Sequence, residues 1–227
     1  MVVRDILKAL DHAAKDNNIK VLVLKLDGLE SAGMAQLEEI ASQIQQFKQS
    51  KKRVIAYSHS YTQDQYYLAA QADEIYLDPM GSVMLEGFGS SSLYFKDALD
   101  KLGIQVNIFR VGSYKSAVEP FERNDMSAAA KKANSHWLGV LWDNYRSTIA
   151  QTRKLNVADV DNYLANYTAL LEKYEGDTAV MAKSLGLVNT LMTRDDFRAH
   201  MKKWVAEDDD GISFRQVDME DYLRSHH

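Results

Sequence analysis

Three short apolar runs, separated by helical stretches, constrain this chain most. Val21-Leu-Val-Leu-Lys-Leu26 is almost continuously apolar and of strand length, as expected of a strand covered on both faces. Arg53-Val-Ile-Ala-Tyr57 and Glu74-Ile-Tyr-Leu77 repeat the pattern. Ahead of the first run, Val3, Ile6, Leu7, Leu10 and Ala14 recur at helical spacing until Asn17-Asn18 ends them. Between the first and second, Leu37, Ile40, Ala41, Ile44 and Phe47 form one stripe, starting near Ser31 and ending around Lys51. An amphipathic stretch from Gln63 to Ala72 leads into the third. Strands alternating with helices of this length predict right-handed βαβ crossovers and a largely parallel sheet. The fold class is therefore α/β.

Pro79 and Gly81 close this region. Val83-Met-Leu85 predicts a short strand, and Gly87-Phe-Gly89-Ser-Ser-Ser92 a turn into a helix holding Leu93, Ala98, Leu99 and Leu102. The two glycines fit neither a dinucleotide nor a Walker fingerprint, and a tight turn with a serine N-cap accounts for them. Ile104, Val106, Ile108 and Phe109 then predict a strand that Gly112 breaks. Lys115 follows, with Tyr114 and Val118 close to it, and Pro120 biases Glu119 away from the helical region. A lysine just past a buried strand, in an apolar turn, is where desolvation lowers an ammonium pKa and makes a base. An exposed loop lysine is the plain alternative. Beyond Pro120, Ser127 opens a long helix to about Leu155, with Leu138, Leu141, Trp142, Tyr145 and Ile149 on one stripe. Shorter helical patterns follow at Val157 to Tyr163, Asp177 to Leu185 and Arg194 to Val205. Asp208-Asp-Asp210 reads as a solvated acidic turn and Phe214-Arg-Gln-Val217 as a final edge strand. With two prolines and no Ser/Gly-rich linker, no internal domain boundary is expected.

Composition narrows the function classes. A net charge of −5 over 227 residues argues against a nucleic-acid partner, which selects for a basic face. No run of about 18 apolar residues spans a membrane, and no secretory signal is recognisable. The absence of cysteine excludes disulfides and thiolate chemistry. The six histidines show no metal-ligand spacing, apart from the terminal pair, and neither an HExxH motif nor a G-x-S-x-G elbow occurs. His59, Asp27 and Glu30 follow strand ends, where α/β folds keep active groups, but nothing marks them as an acid-base set.

Phe109-Arg-Val-Gly-Ser-Tyr-Lys-Ser-Ala-Val-Glu-Pro-Phe121 resembles the lysine motif of the long, two-domain signal peptide peptidases of the protease IV or SppA type. Tyr66-Tyr-Leu-Ala-Ala70, Leu85-Glu-Gly-Phe-Gly89, Leu93-Tyr-Phe-Lys96 and Leu141-Trp-Asp-Asn-Tyr145 extend the similarity over most of the chain. The resemblance implies a crotonase/ClpP-like spiral of βαβ units with additional C-terminal helices. Two copies of that fold make the long members, the N-terminal copy contributing a lysine base and the C-terminal copy a serine nucleophile. Lys115 stands at the family's lysine, with Tyr114, Ser116 and Glu119 as its neighbours. Gln63 occupies the serine position, so the chain would hold half of a Ser-Lys site; Ser58, Ser60, Ser113 and Ser116 remain as plain alternatives, with Ser116 read as a hydrogen-bonding neighbour of Lys115. A useful base near neutral pH needs a lysine pKa of roughly 7–8 instead of about 10.4, which requires burial.

The same resemblance implies no metal or cofactor, and hydrophobic signal peptides as substrate. The expected partners are a C-terminal serine-bearing domain and further copies in a homo-oligomer. Location would be the inner membrane, periplasmic side, with the anchor lying outside this sequence. Residues 1–223 are expected to form one domain lacking its first strand, and 224–227 a tag remnant. Two other readings stay open: a crotonase-type acyl-CoA enzyme, and a non-catalytic scaffold in which Lys115 pairs with a carboxylate such as Glu119.

Overall fold

The structure, a computed structural model, describes residues 2–109, 111–112 and 115–225. In chain order the elements are α1 (Val3–Lys15), β1 (Val21–Leu24), α2 (Met34–Lys48), β2 (Arg53–Ser58), α3 (Gln63–Ala69), β3 (Glu74–Leu77), α4 (Lys96–Lys101) and α5 (Glu119–Glu122). They continue with α6 (Ala128–Arg153), α7 (Val157–Ala165), α8 (Tyr167–Lys173), α9 (Thr178–Ser184), β4 (Thr190–Leu191), α10 (Arg194–Met201) and α11 (Met219–Ser225). The chain divides into two compact units, Met1–Glu86 with Arg146–His227, and Gly87–Tyr145.

The larger unit is built on a four-stranded sheet in the order β1-β2-β3-β4, every pair parallel. Strand β2 runs centrally, with Val21 opposite Arg53 on one side and Ile55 opposite Glu74 on the other. Its side chains alternate between faces. Ile55 and Tyr57 join Tyr76, Phe197, Met201 and Phe214 in one core cluster, which α10 covers. Val54 and Ala56 lie on the opposite face and are equally buried. Helix α2 buries the stripe expected of it, Leu37, Ile40, Ala41, Ile44 and Phe47, and packs on α1.

Three buried tyrosines tie loops to this frame. The hydroxyls of Tyr61, Tyr66 and Tyr163 donate to the carbonyls of Tyr76, Leu187 and Val83 at 2.8, 2.7 and 2.7 Å. Each satisfies a backbone acceptor that burial would otherwise strand, worth on the order of 1 kcal/mol. Strand β4, only two residues long, was not legible from the sequence. It exists because Thr190 and Leu191 meet the free edge of β3.

The smaller unit contains α4, α5 and most of α6. Phe95 and Phe121 stack with ring centroids 6.2 Å apart, and Phe95 N–H donates to the Pro120 carbonyl at 2.7 Å. Asn124 and Asp97 exchange side-chain and backbone hydrogen bonds across α4's first turn.

Several expected strands do not form. Residues 104–109 carry no strand, and Ile104, Val106 and Phe109 are exposed. β-Branched residues favour a strand only when a neighbour pairs with it, and the described residues supply none. Val83–Leu85 reduces to one parallel bridge between Tyr61 and Val83, and the edge strand at Phe214 to one antiparallel bridge with Glu207. Helix α4 is shorter than its apolar pattern suggested, leaving Leu93 outside it and exposed.

Candidate functional site

Lys115 is exposed, in the smaller unit. Gly112 has a φ of 109°, a left-handed conformation that disfavours side chains. The Lys115 stem folds back over it: Cγ and Cε both lie 4.0 Å from where a Cβ at position 112 would stand. Ser116 is exposed, and its carbonyl accepts the Glu119 N–H at 3.0 Å, turning the chain into α5. Pro120 sits in the first turn of that four-residue helix, where its missing N–H is no loss. The expectation that Pro120 keeps Glu119 out of the helical region is not met: Glu119 is the first residue of α5, since a proline in the first turn needs no N–H donor there. Ser113 and Tyr114 lie outside the described residues.

Glu119 is 2% exposed, and its carboxylate serves the start of α6. It accepts the Ser127 N–H at 3.0 Å and the Ser127 hydroxyl, while Ser127 Oγ accepts the Ala130 N–H at 3.1 Å. A carboxylate here also faces the positive end of the helix dipole. This capping role was not visible in the sequence, because the partner stands eight residues away across a turn.

In the larger unit, the amino terminus of α3 carries Gln63, Asp64 and Gln65, and all three hold neighbouring loops. Gln63 Oε1 accepts the Glu86 N–H at 3.0 Å. Asp64 accepts the Ala32 N–H at 3.1 Å, and Gln65 Nε2 donates to the Leu29 carbonyl at 3.0 Å. Thr62 caps the helix by accepting the Gln65 N–H at 3.4 Å. Position 63 thus carries a half-buried amide used as a strut.

The carboxyl ends of the strands hold Asp27, Ser58, His59 and Asp78. Ser58 is fully buried, its Oγ 2.6 Å from both Asp27 Oδ1 and the Ser60 carbonyl. His59 Nδ1 stands 3.5 Å from Asp78 Oδ2, and Ser60 Oγ accepts the Ser82 N–H at 3.1 Å. Ser58 therefore bonds to a carboxylate and Ser60 to a backbone amide. Among the described residues, no group of three or more His, Cys, Asp or Glu is placed to hold a metal ion. None of the described helices is long and apolar enough to cross a membrane.

A parallel α/β sheet with polar side chains gathered past its strand ends defines an α/β protein of the kind that carries enzymes. Residues 46–207 match Peptidase family S49, and the chain belongs to that family. It is 42% identical over 219 residues to Protease 4 of Haemophilus influenzae, covering 96% of this chain and 35% of that protein. Protease 4 of Salmonella typhi is 38% identical over 218 residues, with the same coverage of 96% and 35%. The chloroplastic serine protease SPPA of Arabidopsis thaliana is 26% identical over 191 residues, 84% of this chain and 27% of that one. The chain thus spans about a third of the length of the curated relatives it matches. Among solved structures, a mutant of the 1510-N membrane-bound stomatin-specific protease aligns over 96% of this chain and 89% of its own. That alignment has a TM-score of 0.48 and 15% identity.

Proposed function

We propose that this chain is the lysine-bearing part of a Ser-Lys dyad peptidase that hydrolyses remnant signal peptides. The serine would come from a C-terminal domain of the longer protein. Membership of Peptidase family S49 and likeness to two Protease 4 sequences support the peptidase class. The observation that carries the half-site is at position 63. The residue matching the family's nucleophile position is an amide engaged with Glu86 N–H, while Lys115 stands exposed. The reading requires neither metal nor cofactor.

In this mechanism the neutral amine of Lys115 takes the serine hydroxyl proton as Oγ attacks the peptide carbonyl. Backbone N–H groups hold the oxyanion, and the ammonium then protonates the leaving amine. Water, deprotonated by the same amine, releases the acyl group and restores the serine. A lysine base near neutral pH works only where desolvation disfavours the ammonium. The serine-bearing domain, or another copy in a homo-oligomer, would therefore have to cover the exposed Lys115. With remnant signal peptides as substrate, the assembled enzyme would act at the inner membrane, on its periplasmic side.

Lys115→Ala in the full-length protein tests this. It should fold normally and lose about 10²–10⁴-fold in kcat/KM on a peptide substrate. Unchanged kcat/KM would remove Lys115 from the chemistry.

A further inference from the structure

Residues 104–109 have the composition of a strand and nothing to pair with. Gly103, with φ of 67°, turns the chain out of α4, and the Ile104 N–H closes that helix by donating to the Leu99 carbonyl at 3.0 Å. Among the described residues, none hydrogen-bonds the backbone of Gln105, Val106, Asn107, Ile108 or Phe109. Ile104 and Val106 are 49% and 43% exposed, and Ile108 is half-buried. An open strand edge in a monomer is normally blunted by a lysine, a proline or a bulge. Residues 104–109 include no charge and no proline, so this edge is left free to pair.

The order of the side chains indicates what pairs there. Ile104, Val106 and Ile108 are β-branched aliphatics, and Gln105 and Asn107 between them are carboxamides, so the segment reads alike in both directions. Laid antiparallel on a copy of itself about a two-fold axis at Val106, every residue meets its own kind. Val106 faces Val106, each Ile104 faces an Ile108, and each Gln105 faces an Asn107. Matched β-branched pairs stabilise a sheet, and no like charges are brought together. A register shifted by one residue would set aliphatics opposite carboxamides, and a shift of two would lose an aliphatic pair. Antiparallel partners alternate between hydrogen-bonded and non-hydrogen-bonded pairs. The Ile104 N–H is already committed to Leu99, so the bonding positions are Gln105 and Asn107, whose backbone groups are free. Val106 then takes the non-hydrogen-bonded position on the axis, with Cα atoms about 4.5 Å apart.

We propose that residues 104–108 form a two-stranded antiparallel ribbon with the same residues of a second copy of this chain, centred on Val106. The contact is isologous, so it closes at a dimer. One short strand makes a small interface, and the dissociation constant is expected on the order of 100 μM. The pairing stands independently of the peptidase reading.

Sedimentation equilibrium of the 227-residue chain tests it, and a monomer–dimer equilibrium is expected between about 10 μM and 1 mM. Val106→Lys and Val106→Glu each set like charges across the axis and should each weaken the dimer about tenfold. Mixed in equal amounts, the two variants should pair again. Val106 is exposed, so neither charge should disturb the fold. Amide exchange should slow at Gln105 and Asn107 as concentration rises, and not at Val106. The chain has no cysteine, so Val106→Cys should cross-link two copies in oxidised glutathione. Gln105→Cys, whose counterpart stands diagonally across the ribbon, should not. A monomer at about 1 mM, a dimer indifferent to both charges, or equal cross-linking from positions 105 and 106 would refute the pairing. Protection of the Gln105 and Asn107 amides in a monomer by an added extended hydrophobic peptide would assign the edge to a peptide and equally refute it.

Discussion

Glu119 and Ser127 form the joint between the Lys115 turn and the long helix α6. The buried carboxylate accepts both the Ser127 N–H, at 3.0 Å, and the Ser127 hydroxyl. Removing the acceptor leaves a backbone donor and a hydroxyl unsatisfied at a helix start. Glu119→Ala should therefore lower unfolding stability by about 1–3 kcal/mol. Glu119→Gln keeps one acceptor oxygen and should lose less. Urea unfolding of the two variants measures this; an unmoved midpoint for both would mean the carboxylate is no tether.

Gln63→Ser should not create a peptidase. A hydroxyl at that position is too short to keep the 3.0 Å bond to Glu86 N–H, so the strut to the 82–86 segment is lost. The expected outcome is a chain destabilised by about 1 kcal/mol, inert to a fluorophosphonate serine probe and silent on peptide substrates. Stoichiometric labelling at residue 63 would contradict it.

Gly81 is required by close approach of the backbone. A Cβ there would lie 2.0 Å from the His59 carbonyl oxygen and 2.7 Å from Leu77 Cδ1. The first of these contacts is backbone and cannot rotate away. Gly81→Ala should cost about 3 kcal/mol and shift the His59 resonances, since overpacking is relieved only by moving the chain. Gly28 offers the control, with nothing within 4 Å of its added Cβ. Gly28→Ala should be neutral or stabilise by about 0.5 kcal/mol. Equal melting temperatures for the two variants would refute the packing assignment.

Stability should fall at high pH through the buried tyrosines. Burial is the largest cause for Tyr57 and Tyr222, both pushed up to about 12, and Asp16 adds to it at Tyr222. Burial also raises Tyr66 and Tyr163. A folded-state pKa above the unfolded value near 10 favours the protonated phenol in the fold. That contribution is complete below about pH 10 and is lost as pH climbs toward 12. Melting temperature should hold through about pH 9 and then drop, less steeply in Tyr222→Phe, which loses the bond to Asp16. A flat profile to about pH 11 would contradict the burial of these phenols.

The parallel α/β class is legible in the residues alone, because three short apolar runs alternate with helical stretches; β2 and β3 are buried as such runs imply, while β1, at the sheet edge, is only half-buried. The sequence by itself also determined the α2 stripe and the lysine motif around Lys115, since period and motif are local properties of a chain. Residues 104–109 have strand composition, but composition does not supply a pairing neighbour, and the fold leaves them unpaired. Only the tertiary structure decided that Glu119 caps α6 and that Gln63 braces Glu86. It alone brings Asp27 to the Ser58 hydroxyl and Asp78 to His59 past the strand ends. Hydrogen bonds and charges act over a few ångströms of space, whatever the separation along the chain, and a linear pattern carries no record of that distance.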